Sequence, residues 1–276
     1  MPELPEVELV ARSLNKLIAD RTIVSADLLR ERLAPFDAPP VFTRKLKNTK
    51  INFVHRRGKH VLFDLDSKST LLTHLRMTGR FLLLPAEREL PKHTHAVMYL
   101  ADNRRLVFQD QRHFGLMKII ETEKLDQASE IRRLAPEPFS RDFTPRYLQK
   151  VFSKTRKSLK EVLLDQTKVC GLGNIYASEA LFLARIAPQV SACQLSVRQI
   201  NRLYEKIREV LDESIAHGSM IEVDPENIDG SYYGGAYEGH WRVYDQEKKP
   251  CRKCKVEIKK IVQAGRSSFF CPKCQK

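Results

Sequence analysis

Val7, Val10, Leu14, Leu17 and Ile18 recur at helical spacing and predict an amphipathic helix near the start of the chain. From about Thr22 to Thr122 the period changes. Short apolar runs (Ile51–Val54, Val61–Leu65, Leu71–Leu75, Phe81–Leu84, Val97–Leu100, Leu106–Phe108 and Leu116–Ile120) alternate with polar clusters. Such strands at close spacing predict a β-sandwich or flattened barrel. Arg56-Arg57-Gly58-Lys59 separates two of the runs and reads as a hairpin turn. Pro136, Pro138 and Pro145 mark a boundary, beyond which the period is helical. The clearest stretch runs from Ser196 to Gly218. Ser196 and Gln199 form a capping-box pattern, Val197, Ile200, Leu203, Ile207, Val210, Leu211 and Ile215 make the apolar stripe, and Gly218 is the stop. The expected fold class is α+β and multidomain. Residues 1–130 form the first helix and the β-sandwich, 131–240 a helical domain ending in a Gly- and Tyr-rich loop, and 241–276 a small C-terminal module.

Composition adds a partner. The 276 residues include 48 Lys and Arg against 34 Asp and Glu, a formal net charge of +14. Such an excess favours a polyanion, nucleic acid before a membrane surface. Residues 38–63 hold seven basic side chains and no acid, and residues 150–168 hold six with two acids. Each run alone reads as a solvated face, whereas several in separate modules suggest one composite nucleic-acid surface. No apolar run approaches the roughly 20 residues that span a bilayer, and the start lacks the pattern of a signal peptide. A cytoplasmic location and no membrane partner are expected. A monomer is expected too, since no heptads occur.

In a reducing compartment six cysteines suggest metal ligands or free thiols. Cys251-x-x-Cys254 and Cys271-x-x-Cys274 lie sixteen residues apart. This spacing fits one four-thiolate Zn²⁺ site, closed and therefore structural. So short a segment cannot bury enough core to fold alone, and metal binding makes up the deficit. Residues 248–276 carry ten Lys or Arg and one Glu, as a hairpin that grips a nucleic-acid backbone would. Cys170 and Cys193 have no partner at ligand spacing and read as buried apolar thiols.

The start, Met1-Pro2-Glu3-Leu4-Pro5-Glu6-Val7-Glu8, has two readings. In one, Pro5 simply opens a helix and the acids favour its positive end. In the other, Met1 is removed and Pro2 exposes a secondary amine with a pKa in the range of about 7.7–8.0. Such an amine attacks a sugar C1′ to give an iminium ion, with Glu3 and Glu6 as carboxylates for proton transfer. Further along, the two glycines of Gly171-Leu172-Gly173-Asn174 precede a helix whose free N–H groups suit a phosphate, or they make an ordinary turn. Met77 and Phe114 on their own default to core. His55, His60, His93 and His95 read as surface or packing residues.

Taken together, PELPEVE, RRGKH, HLRMTG, DQRHFG, GLGNIYASEA and the paired CxxC motifs occur in the order found in bacterial formamidopyrimidine-DNA glycosylases, which the chain resembles over nearly its whole length. The resemblance implies an N-terminal β-sandwich, a helical domain with a helix–two-turn–helix motif and a zinc-finger hairpin. It implies double-stranded damaged DNA as partner and no small-molecule cofactor. The implied activity is bifunctional: excision of oxidised purines such as 8-oxoguanine, then strand cleavage by β,δ-elimination. Catalysis would fall to Pro2 as Schiff-base nucleophile, Glu3 as the proton donor that opens the sugar, Glu6 as the second helix-start carboxylate, and Lys59 near the target phosphates. Asn174 and Arg266 would clamp phosphates, with His74 and Tyr244 as further backbone contacts and Lys160 in damage recognition. Met77, Arg112 and Phe114 would fill the void left by the flipped base, Phe114 wedging the stack and Arg112 pairing with the orphaned base.

Two segments depart from the family pattern. His113 stands where Arg or Lys is usual, and the loop Ile221–Gly239 that would cover the flipped base is long and rich in Gly and Tyr. Three rivals explain parts of the chain: an endonuclease VIII-type glycosylase for oxidised pyrimidines, a non-catalytic damaged-DNA-binding relative, and a zinc-ribbon RNA-binding protein. The last accounts for the C-terminus but not the N-terminus.

Overall fold

The computed structural model describes residues 2–218, 224–228 and 240–276. The chain forms two compact units, residues 1–132 with 217–236, and residues 133–216 with 237–276.

The first unit opens with helix α1 (Leu4–Ile18), whose apolar face packs into the core through Val7, Val10, Leu14 and Ile18. Eight strands follow. They are β1 (Thr22–Leu28), β2 (Thr49–Arg57), β3 (His60–Leu65), β4 (Ser69–His74), β5 (Gly79–Pro85), β6 (Thr94–Leu100), β7 (Arg104–Asp110) and β8 (Leu116–Glu121), with helix α2 (Pro39–Leu46) between the first two. The seven apolar runs of the sequence correspond to β2 through β8. Strand β1 (Thr22–Leu28) has no continuous apolar run, because polar residues interrupt it.

The strands form one antiparallel ladder in the order β5-β7-β6-β1-β2-β3-β4-β8. Its two halves are joined only where β1 meets β2, at Thr22↔Lys50 and Ile23↔Thr49. Loss of pairing at this corner lets the halves face each other, as in a sandwich. Phe63 of β3 meets Phe81 of β5 edge-on at 5.5 Å, and Phe81 meets Phe108 of β7 at 5.2 Å. The described residues 224–228 also belong to this unit. Ile228 pairs with Phe81, and Leu83 donates its N–H to the Pro225 carbonyl at 2.7 Å. The edge of β5 thereby gains a backbone partner, and this stretch follows the sheet rather than the helical domain expected for residues 131–240.

The second unit holds α3 (Pro145–Phe152), α4 (Leu159–Leu164), α5 (Asn174–Ala184) and α6 (Val197–Gly218), then the hairpin β9 (Lys259–Gln263) and β10 (Arg266–Phe270). The capping box read from Ser196 and Gln199 is formed, with Ser196 N–H donating to Gln199 Oε1 at 3.0 Å and Gln199 N–H to Ser196 Oγ at 3.3 Å. The cysteine module shares a small core with α5: Phe182, Val243, Cys251, Ile258, Phe269 and Cys271 pack together.

Candidate active site

Two tethers fix α1 on β2. Asn15 Oδ1 accepts the Val54 N–H at 2.8 Å, and Arg56 Nε meets Glu8 Oε2 at 2.6 Å. Moving back along the helix thus moves forward along the strand, so the helix start lies at the end of the sheet that carries the β2–β3 turn. That turn is tighter than the sequence suggested. Arg56 and Arg57 still belong to β2, Arg57 pairs with His60, and only Gly58 and Lys59 make the turn, with Gly58 at φ 60°.

Glu3 is the N-cap of α1, and its N–H donates to Glu6 Oε2 at 2.8 Å. Both carboxylates are buried. The Glu3 side chain in turn accepts from the Glu6 backbone, so the two carboxylates form a reciprocal capping box at the helix start, beside Pro2. Lys59 is only 5% exposed at a hairpin tip, where lysines ordinarily lie in water.

Next to this turn, His60 and His74 are direct partners in the β3–β4 register, and their rings meet edge-on at 4.7 Å. Burial, foremost, holds His60 down to about 4, with Arg76 and Arg57 adding to it against a hydrogen bond to the Arg57 carbonyl and the pull of Glu130. Burial also holds His74 to about 2, reinforced by His60, Arg76 and Lys59. Both rings are neutral at pH 7. His74 Nδ1 accepts the Arg76 N–H at 3.1 Å, so the proton of the neutral ring is on Nε2.

The same sheet end carries two tips, Arg76–Met77 after β4 and Arg112–Phe114 between β7 and β8. Met77 and Phe114 are 44% and 47% exposed, unlike core residues of their size. The Arg112 guanidinium lies 5.2 Å above the Phe114 ring. A cavity of about 610 Å³ is lined by Arg32, Arg76, Met77, His113 and Phe114 among others. Gly79 and Gly115 let Phe108 pack beneath the tips, since a Cβ at either would meet that ring at 2.8 Å.

Sequence reasoning missed Asp110. Its carboxylate accepts from Thr78 Oγ1, from the Arg112 N–H at 3.2 Å and from the Gly115 N–H at 2.7 Å. Burial raises the carboxyl, but these hydrogen bonds and one from the Phe114 N–H outweigh it and hold Asp110 below the usual carboxylate range. An acid closing an apolar strand, five residues before a glycine, was the available signal.

In the second unit, Asn174 heads α5 after the N-cap Gly173. Its Oδ1 is buried without a hydrogen-bond partner among the described residues. Lys160 is 1% exposed, and its Nζ donates to the Asn174 carbonyl at 3.1 Å and to Ser178 Oγ. The lysine thus supports the start of α5 from beneath. Glu179, also missed, is fully buried in α5. Its carboxylate accepts the N–H groups of Arg242, Val243 and Tyr244 at 2.9 Å each. Tyr244 packs on Phe269 at 5.4 Å, and Arg266 begins the same strand, exposed, after the tight turn Ala264–Gly265.

The four thiols Cys251, Cys254, Cys271 and Cys274 lie within 4.8 Å of one another. Cys254 and Cys271 are 3.4 Å apart and Cys251 and Cys274 3.9 Å, against the roughly 3.8 Å expected across a tetrahedral Zn–S₄ site. The donor set fits one Zn²⁺ with no open position, so the metal supplies folding energy and no chemistry. Of the other cysteines, Cys170 is buried as expected, but Cys193 is exposed, with its Sγ 3.4 Å from Ser191 Oγ in a polar turn.

The predicted site residues thus fall into two sets. Pro2, Glu3, Glu6, Lys59, His74, Met77, Arg112 and Phe114 share one end of the sheet unit. Lys160, Asn174, Tyr244, Arg266 and the four cysteines belong to the other unit. The loop 221–239, expected to cover the flipped base, lies outside the described residues except for 224–228.

Residues 1–117 match the formamidopyrimidine-DNA glycosylase N-terminal domain, residues 134–224 that enzyme's H2TH domain, and residues 248–276 the zinc finger found in FPG and IleRS. Formamidopyrimidine-DNA glycosylase of Chloroflexus aggregans is 42% identical over 280 residues, covering 100% of this chain and 98% of that protein. The Desulforamulus reducens enzyme is 38% identical, covering 100% and 99%. The solved Lactococcus lactis Fpg in complex with DNA containing an abasic site superposes with a TM-score of 0.91 at 34% identity, over 99% of each chain.

Proposed function

Because the chain belongs to the formamidopyrimidine-DNA glycosylase family of base-excision-repair enzymes, we propose that it excises oxidised purines from double-stranded DNA through the amine of Pro2. The observation that carries this reading is the meeting, at one end of the sheet unit, of the α1 start with a buried Lys59 turn.

Removal of Met1 frees the Pro2 nitrogen, which is an amide while Met1 is attached. The amine attacks C1′ as the bond from C1′ to the base breaks, and the base leaves with a proton. Glu3 delivers a proton to O4′ as the sugar opens, which leaves an iminium between Pro2 and C1′. The iminium acidifies the 2′ hydrogen. Its removal expels the 3′ phosphate, and a second elimination expels the 5′ phosphate, leaving a one-nucleotide gap. No step passes through the zinc.

Lys59 and the neutral His74, donating from Nε2, hold the phosphates around the target. Asn174, Tyr244 and Arg266 hold the backbone, with Lys160 acting through Asn174. Met77, Arg112 and Phe114 replace the extruded nucleotide, which offsets an unpairing cost of a few kcal/mol. The enzyme works as a monomer in the cytoplasm, where bacterial DNA lies.

The test is borohydride trapping on a duplex with 8-oxoguanine opposite cytosine, with N-terminal mass analysis. A covalent band that the Pro2→Gly variant loses supports the reading. A band only with an oxidised pyrimidine moves the protein to the endonuclease VIII-type specificity. No band with any substrate, on protein lacking Met1, leaves a DNA-binding relative without chemistry.

A further inference from the structure

The pairing of β6 with β7 slips by one residue. Thr94 faces Gln109, Ala96 faces Phe108, and His95 is the extra residue between them. Such a bulge re-aims the side chain it carries. His95 is 3% exposed, and its carbonyl accepts the N–H groups of Leu29 at 2.9 Å and Arg30 at 3.2 Å. The re-aimed ring stacks on His113, with centroids 4.9 Å apart and planes 9° apart, and its Nε2 lies 2.9 Å from His113 Nδ1.

His113 is the residue between Arg112 and Phe114. Its backbone is left-handed, at φ 60°. Among residues with a side chain, Asn, Asp and His enter that region most readily, so His113 suits the turn and its ring is free to take a partner. Asp110 holds the backbone on both sides of the tip, and the bond to His95 is the side-chain anchor of its middle residue.

A contact of this length between two ring nitrogens holds one proton. Either ring can donate it, so the neutral pair and the singly charged pair both keep the bond. Two imidazoliums have donors only, and they repel. Around His95 lie Asp110, His113, Arg30 and His93. Burial, foremost, holds the His95 ring below the usual imidazole range. Asp110 pulls the other way, and His113, Arg30 and His93 add to the effect of burial. His93 stands 5.7 Å from the His113 ring, and His113 also borders the cavity lined by Arg32 and Arg76.

We propose that His113 is a positioning residue, that its hydrogen bond to His95 holds Arg112 and Phe114 in their working arrangement, and that acid releases the tip when both rings become charged. The inference rests on the reading of Phe114 as wedge and Arg112 as reader of the opposite base. Its consequence is specific. Base excision, which needs extrusion of the damaged nucleotide, loses more in acid than cleavage at a preformed abasic site. Both reactions use Pro2, so their ratio cancels the titration of the amine.

The experiment measures that ratio under single-turnover conditions, with 8-oxoguanine opposite cytosine and with an abasic site, from about pH 7.5 to about pH 4.5, well below the usual imidazole range. The wild-type ratio is expected to fall roughly threefold or more over that range. His113→Asn keeps a hydrogen-bonding group that tolerates left-handed backbone and never makes a doubly charged pair. Its ratio is expected to stay flat. His95→Phe keeps a ring but loses the bond, and its ratio is expected to be low at every pH. One shared pH profile for wild type and His113→Asn, or a wild-type ratio in folded His95→Phe, overturns the inference. If His95→Phe does not fold, the asparagine comparison decides alone. Phe114→Ala separates the two levels. If it leaves the ratio unchanged, the wedge reading fails and takes this inference with it. If it lowers the ratio while wild type and His113→Asn share one profile, only the role of the histidine pair fails.

Discussion

The Asp110 carboxylate accepts the Gly115 N–H at 2.7 Å across the tip that presents Arg112 and Phe114. Together with Thr78 and the Arg112 N–H it ties the end of β7 to the start of β8. Replacing Asp110 by Ala leaves the buried Gly115 N–H unpaired, at a cost of roughly 1–3 kcal/mol before relaxation, while the Arg112 N–H keeps Thr78 Oγ1 as acceptor. Asp110→Ala is expected to unfold at lower denaturant concentration and to lose base excision more than abasic-site cleavage. Asp110→Asn, which keeps one acceptor oxygen, should fall between. Chemical denaturation alongside both assays decides it. Unchanged excision in a destabilised Asp110→Ala would show that the tip is held by something else.

Glu3 and Glu6 are joined by a hydrogen bond, yet they should respond differently to substitution. Glu6 accepts the Glu3 N–H, a capping role that Gln also fills. Glu6→Gln is expected to retain most stability, and Glu6→Ala to lose about 1 kcal/mol. Glu3→Gln should leave the helix intact while excision drops by roughly 10²–10⁴, the usual contribution of a positioned proton donor. Thermal unfolding read beside single-turnover kinetics separates the two. Equal kinetic losses for Glu3→Gln and Glu6→Gln would refute the division of labour.

The architecture was legible where one face of an element is apolar. The periods of 3.6 and 2 disclosed α1, α6 and seven of the eight strands of the sheet, and the capping box at Ser196 formed as its spacing implied. The zinc site was legible because its ligands are local in sequence. Asp110, Glu179 and His95 were not. Each works by meeting groups far along the chain: Asp110 meets Thr78, Glu179 meets residues 242–244, and His95 meets His113. No period announces such a pairing. The burial of Lys160 was equally hidden, since a lysine in a basic run reads as exposed until its partner, the Asn174 carbonyl, is known.

Acid should weaken the first unit through His60 and His74. Burial holds them down to about 4 and about 2, against an unfolded value of 6.5. A depressed folded pKa means that the unfolded chain binds more protons below pH 6.5, so stability is full above that value and falls as the pH drops toward the folded pKa. By pH 5 the loss is on the order of 1–2 kcal/mol per ring. The melting temperature is expected to decline from pH 7 to pH 5, with a shallower slope in His60→Phe. Identical slopes would mean that other groups carry the acid sensitivity.

Glu179 should matter to DNA binding without touching DNA. Its carboxylate is fully buried and gathers three consecutive backbone N–H groups, of Arg242, Val243 and Tyr244. Burial, foremost, raises its carboxyl above the usual range, while those N–H groups and Arg242 oppose the rise. The carboxyl oxygens and these donors hold one another in place. In Glu179→Gln the amide oxygen can take the Oε1 place, which accepts all three N–H groups, but the NH₂ then faces the Arg242 N–H and guanidinium in place of Oε2, so the loop must shift. The expected cost is about 2–4 kcal/mol in the second unit, in the range for removing one member of a buried charged network. Because Tyr244 ends that loop and packs on Phe269, the variant should also bind abasic-site DNA roughly tenfold more weakly, the equivalent of about 1.4 kcal/mol. Zinc content should stay at one per chain, since the four thiols keep their own knuckles. Melting, zinc assay and a DNA titration on one preparation test the three parts. Weakened binding with full zinc content and a lowered melting temperature is the expected combination. Unaltered binding in a destabilised variant would mean that the 242–244 loop serves the fold alone.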